Sequence, residues 1–147
     1  MKRIFLLFVL LISFAQCMAA DVLLNVHKNG TLIVISAINI SHEDIKVSRL
    51  FTKNPAFGLV EFYISVNGRR HQPLTSPYEN LPEASDYIIL SPLDAVGEAF
   101  YISEIRRRYR TGKGCFNLHV EYHDVMAKKF GAYQGTIESN KIYICEN

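Results

Sequence analysis

Three groups of residues in this chain have the types and spacing that chemistry requires. The first is His119-x-Glu121-x-His123, followed by Asp124. Imidazole and carboxylate groups are common metal ligands, and a metal site gathers three or four around one point. On a strand, alternate side chains share a face about 6.7 Å apart, so neighbouring pairs can share an ion; the two histidines, about 13 Å apart, cannot. A metal-binding protein or metal enzyme built on His119, Glu121 and His123 therefore needs a further ligand, and Asp124 after a bend is the nearest. The competing reading is a solvated outer face with His119 beside Lys141.

The second group is Arg106-Arg107-Arg108-Tyr109-Arg110 with Lys113. Such a cluster can engage an acidic patch on a partner, a phosphate or an anionic glycan. It can equally be a crossover whose arginines pair with Glu98 and Glu104 or keep it solvated. The third group, His42-Glu43-Asp44-Ile45-Lys46, looks like a zinc-peptidase string, but that chemistry needs a second histidine where Lys46 stands. There is no Gly-x-Ser-x-Gly elbow and no glycine-rich phosphate loop. The expectation is a non-enzymatic protein with no cofactor.

The elements that must hold these residues are short strands. Val22 to His27 runs into the Asn29-Gly30 turn, then Leu32 to Ile40, LIVISAINI, apolar on both parities. Such a run suits a central strand, and one of its faces is free to meet a partner. Ile45 to Phe51 is a third strand. Val60, Phe62, Ile64 and Val66 alternate with Glu61, Tyr63, Ser65 and Asn67 before the Asn67-Gly68 turn, which predicts a half-buried strand. Arg69 to Gln72 begins a short return. Pro73, Pro77 and Pro82 make Pro73–Glu83 an irregular loop. Asp86–Leu90 and Ala95–Ile102 are further strands, and Ser103–Tyr109 forms one helical turn at most. Phe116, Leu118, Val120 and Tyr122 then alternate with Cys115, Asn117, His119 and Glu121. In the last strand Ile142 and Ile144 point inward, and Lys141, Tyr143 and Cys145 outward.

That alternation predicts a pairing. If the last two strands run antiparallel with Cys115 opposite Cys145, Asn117 faces Tyr143 and His119 faces Lys141. Both cysteines then lie on the outer face within bridging reach. Closing the 30-residue separation contributes about 3.5 kcal/mol by the chain-entropy estimate.

Residues 1–20 read as a leader. Lys2 and Arg3 precede the apolar run Ile4–Ala15, and Ala19 or Ala20 ends a small-residue exit. The run is too short to span a bilayer, which takes about 20 residues, so no stable membrane anchor is expected. The whole chain has 16 Lys+Arg and 14 Asp+Glu; without Lys2 and Arg3 the two signs balance at 14 each. Global charge therefore gives no reason to expect nucleic acid as a partner. Loss of Cys17 with the leader leaves Cys115 and Cys145 to pair in an oxidising compartment. Residues 21–147 suit one domain, secreted or periplasmic.

Asn39-x-Ser41, Tyr87-x-x-Leu90-x-Pro92, Tyr109 followed by Gly114-x-Phe116-x-Leu118-x-Val120-x-Tyr122, and Ser139-Asn140 together carry a resemblance. The chain resembles the immunoglobulin-like domain that precedes the catalytic domain in secreted deuterolysin-like (peptidyl-lysine-type) metalloendopeptidases and also occurs alone in small exported bacterial proteins. It departs from them at Pro92-Leu93, where that family has Pro-Gly, and in having cysteines. The resemblance implies an all-β, immunoglobulin-like antiparallel β-sandwich. Together with the strand reading this gives about seven to nine strands and one disulfide. It also implies that Tyr109 is a corner tyrosine whose hydroxyl caps backbone near the start of the Cys115 strand. The expected function is protein–protein binding, through end loops or the Arg106–Lys113 crossover. The alternative is an inhibitor or immunity protein that inserts the Pro73–Glu83 loop into an extracytoplasmic hydrolase.

Overall fold

The computed structural model describes residues 21–51, 60–74 and 82–145. The leader, Lys53-Asn54-Pro55 and residues 75–81 of the proline-rich loop lie outside them. In chain order the strands are β1 (Val22–Asn29), β2 (Leu32–Asn39), β3 (Ile45–Ser48), β4 (Val60–Val66), β5 (Arg69–His71), β6 (Tyr87–Leu90) and β7 (Ala95–Tyr101). Helix α1 (Ile102–Tyr109) follows, then β8 (Cys115–His123), the four-residue helix α2 (Ala127–Phe130), β9 (Thr136–Glu138) and β10 (Ile142–Cys145). The protein is all-β in class, and every strand pair is antiparallel.

Alternation drives the layering. The first sheet has the order β1-β2-β7, and the second has β10-β8-β4-β5 with β9 also on β8. A third, two-stranded sheet joins β3 to β6. Leu24, Val26, Ile33 and Ile35 from the first sheet share one buried cluster with Phe62, Ile64, Leu118 and Val120 from the second. Phe62 meets Phe100 edge to face at 5.3 Å between ring centres, which joins β4 to β7. Each such side chain contributes roughly 1.5–3 kcal/mol on burial, so this shared layer dominates the stability.

One turn and one close approach fix the register. Asn67 and Gly68 both take left-handed backbone, at φ 49° and 77°, the conformation a two-residue hairpin needs between β4 and β5. Gly97 is different: a Cβ there would collide with the carbonyl oxygen of Ile35 on the neighbouring β2. Only glycine lets β7 lie that close.

The expected cysteine pairing is present. Cys145 lies opposite Cys115 and Tyr143 opposite Asn117, and the disulfide joins Cα atoms 4.2 Å apart. The ladder stops at Ile142–Leu118, so Lys141 sits beside His119 without a rung.

Three expectations need correction. The third strand ends at Ser48 rather than Phe51. Ser103–Tyr109 belongs to an eight-residue helix, not a single turn; Ile102, Ile105 and Tyr109 fall on one buried face of it. Among the described residues there are ten strands rather than seven to nine. The added one is β9, three residues that occupy the same edge of β8 as β10. Among the described residues no helix is long and apolar enough to cross a membrane.

Candidate functional site

Two sheet faces point away from the core, and they differ chemically. On the second sheet, β4 presents Glu61, Tyr63 and Ser65, and β8 presents Asn117, His119, Glu121 and His123. Register sets them side by side: Glu61 faces Glu121, Tyr63 faces His119 and Ser65 faces Asn117. Tyr63 and His119 stack with ring centres 4.8 Å apart and planes 16° from parallel. The Arg70 guanidinium lies 4.2 Å from the Tyr63 ring centre and pairs with Glu61. The Tyr63 hydroxyl is 3.1 Å from Glu61 Oε2 and 3.3 Å from Glu121 Oε2. Burial first, then the two carboxylates, raise the Tyr63 pKa above 10.0, so the phenol keeps its proton for them. Burial and then Lys141 hold His119 below the ordinary histidine value of 6.5, against the pull of Glu138 and Glu121. The imidazole is therefore neutral near pH 7.

This geometry works against the metal reading. Glu121 accepts from the Tyr63 hydroxyl and a His123 ring nitrogen pairs with Thr136 Oγ1 at 2.8 Å, while the stacking of His119 engages only its ring face. Asp124 does not turn outward to join them. It is only 4% exposed, accepts the Met126 N–H at 2.8 Å, and faces the Tyr87 hydroxyl inside. Among the described residues no three His, Cys, Asp or Glu side chains are grouped to hold an ion. Register adds a feature that spacing along the chain cannot show. Glu121 also faces Glu138 on β9, so three carboxylates lie abreast across β4, β8 and β9.

The basic cluster is divided by its helix. Arg106 donates to the carbonyls of Gly112 and Gly114 and lies 4.8 Å over the Phe116 ring, which makes it a clip on the loop before β8. Arg108 is half-buried. Arg107, Arg110 and Lys113 remain exposed, and Arg110 caps α1 in left-handed backbone at φ 50°. The stretch Arg106–Lys113 is thus not one contiguous binding patch.

Tyr109, Phe116 and Tyr122 are buried, but the Tyr109 hydroxyl is not where the corner-tyrosine expectation placed it. Phe116 and Tyr122 are 1% exposed, and Gly114 takes φ 105°. Tyr109 is 3% exposed at the end of α1 and packs 6.2 Å from the Phe62 ring. Its hydroxyl bonds backbone at Phe62 on β4, not near Cys115, and burial pushes it up to about 12. The tyrosine that ties separate sheets is Tyr122, whose hydroxyl accepts the Ser48 N–H at 3.3 Å. Asn39, fully buried, donates to the carbonyls of Glu43 at 2.7 Å and Leu90 at 2.8 Å. Its Oδ1 accepts from the Ser41 N–H at 2.9 Å. It is a joint between the β2 end and the β6 end.

The outer face of the first sheet carries Leu23, Asn25 and His27 from β1, Leu32, Val34, Ser36 and Ile38 from β2, and Ala95, Gly97, Ala99 and Tyr101 from β7. None is Asp, Glu, Lys or Arg. Leu23 is 47% and Tyr101 61% exposed, so this face meets solvent with apolar and small side chains. Its only sequence signal is that LIVISAINI is apolar on both parities. Compared with known proteins, the chain matches no family model and no curated sequence.

Proposed function

We propose that this chain is an exported, non-enzymatic binding module of immunoglobulin-like sandwich fold that works by protein–protein contact. The carrying observation is the outer face of β1-β2-β7. It has no charged side chain among the described residues, whereas the outer face of the other sheet holds Glu61, Glu121, Arg70 and Lys141. Solvated sheet faces are usually polar, and contiguous exposed apolar surface marks interaction sites. The fold assignment draws support from the strand orders β1-β2-β7 and β10-β8-β4-β5 around one core. Kinship with the domain preceding deuterolysin-like catalytic domains draws support from Asn39, Ser41, Tyr122, Ser139 and Asn140, which all stand at joints between strands. Export draws support from the leader-like residues 1–20 and from the Cys115–Cys145 bridge.

The test is capture of partners by the wild-type protein and by a Val34→Glu, Ile38→Glu double variant. Both positions are partly exposed on the face, and urea unfolding of the two proteins checks that the variant stays folded. Wild type retains a stoichiometric protein partner and the variant does not. Equal retention by both removes this face from the reading, and no partner for either removes the protein-binding function.

A further inference from the structure

On the outer face of the second sheet the Ser65–Asn117 rung forms the floor of a groove of about 310 Å³. The stacked rings of Tyr63 and His119 wall one side, and Arg70 on β5 and Lys141, just ahead of β10, flank the floor. The volume is at the lower limit of ordinary ligand sites, about 300 Å³, and suits one small polar unit rather than a folded element.

The lining has a definite hydrogen-bond signature. The Asn117 amide offers donors and an acceptor, the Ser65 hydroxyl offers both, and a neutral His119 ring has one nitrogen of each kind. Arg70 is already committed to Glu61 and Tyr63, while Lys141 is exposed, with no hydrogen bond or ion pair among the described residues. The carboxylates Glu61, Glu121 and Glu138 lie abreast beyond the ring stack, on the next outward rung, and the Tyr63 hydroxyl engages the first two. Tyr143, opposite Asn117 and 66% exposed, places an uncovered ring beside the same floor.

We infer that this groove binds an acidic saccharide, a uronate unit whose carboxylate meets Lys141 and whose hydroxyls meet Asn117, Ser65 and His119. Vicinal hydroxyls both donate and accept, which matches the mixed amide, hydroxyl and imidazole set. A peptide carboxylate would also use Lys141, but with one N–H per residue it brings fewer donors to the groove than a ring of vicinal hydroxyls. The C–H face of a sugar ring, slightly positive, also suits the negative face of the Tyr143 ring. The groove lies on the opposite sheet from the charge-free face, so it stands independently of the protein-binding reading.

The experiment is a two-dimensional NMR titration of the full chain at about 0.15 M salt, using tetragalacturonate, the neutral maltotetraose and tetraglutamate as probes. Tetragalacturonate should saturate and shift the Ser65, Asn117 and His119 signals, with maltotetraose at least about tenfold weaker. Removing a charge-assisted contact is worth about tenfold or more, so Lys141→Ala should weaken the uronate by that factor. Lys128→Ala, at an exposed site on α2, should leave it unchanged. The inference fails if tetragalacturonate shows no saturation at roughly 10 mM, or if Lys141→Ala binds like wild type. It fails also if tetraglutamate binds as tightly, because the groove would then be reading charge alone.

Discussion

The side chain of Asn140 donates to the Val26 carbonyl and accepts from the Val26 N–H, both at 2.8 Å. One side-chain amide thereby plays the part of a strand neighbour for β1, at the edge where the two large sheets meet. Its neighbour Ser139 completes the joint: Oγ accepts the Val120 N–H at 2.9 Å, and the Ser139 N–H reaches the Val120 carbonyl at 2.8 Å. The break between β9 and β10 is therefore bonded on both sides.

Asn140→Ala should destabilise the protein by about 1–3 kcal/mol, because Val26 loses partners for both backbone groups. Asn140→Asp should cost a similar amount, since its acceptor cannot serve the Val26 carbonyl. Urea unfolding of the three proteins measures this; midpoints equal to wild type would mean water replaces the amide without loss.

Arg106→Ala should cost about 1–2 kcal/mol by releasing the Gly112 and Gly114 carbonyls, whereas Arg107→Ala should stay within about 0.5 kcal/mol. The same denaturation assay separates the loop clip from the solvated arginine beside it.

Gly97→Ala places a methyl group against the Ile35 carbonyl and must push β7 off β2. A loss of roughly 1–3 kcal/mol is expected. Hydrogen exchange should show the amides of β7 opening before those of β8. A neutral result would mean that β7 shifts freely.

Tyr87, Tyr109 and Tyr122 all have pKa values raised above 10.0, with burial the largest cause in each, and Tyr109 is pushed up to about 12. The folded state keeps these protons at a pH where the unfolded chain has lost them. Their contribution to stability is thus complete below about pH 10 and is lost as pH climbs through about 12. Urea midpoints at pH 9 and 11 should fall, and Tyr109→Phe should flatten the decline.

His119 has the opposite sign. Its folded pKa lies below 6.5, so its contribution is present above that value and is lost as pH falls through the folded value. The groups around it are Tyr63, Lys141, Glu138, Glu121 and Arg70. Lys141→Ala should raise the His119 titration midpoint measured by NMR, and an unchanged midpoint would leave burial, with the smaller push of Arg70, as its cause.

Particular residues show what the sequence makes legible. The β8–β10 register was readable because two cysteines and a strict alternation gave independent answers that agreed. Helix α1 was read too short: Ile102, Ile105 and Tyr109 recur at helical spacing, but four arginines nearby masked the period. Strand β9 was not: three residues are too few to show alternation, and Thr136–Glu138 is held by pairing with β8. Nor could the chain alone show that Glu61, Glu121 and Glu138 stand abreast, or that Asn117 shares a floor with Ser65. Those depend on registers between strands far apart in sequence. The charge-free face was half visible, because LIVISAINI gave the residues but not their exposure.

The sulfur link at Cys115–Cys145 also decides how the fold would fail under load. Tension applied beyond Cys145 passes straight into β8, so β10 cannot be unzipped rung by rung. Residues 116–144 lie inside the closed loop, so neither β8 nor β10 can be drawn out by pulling the ends of the chain. An intact bridge should therefore shorten the length released in single-molecule pulling by that loop, and reduction should restore it.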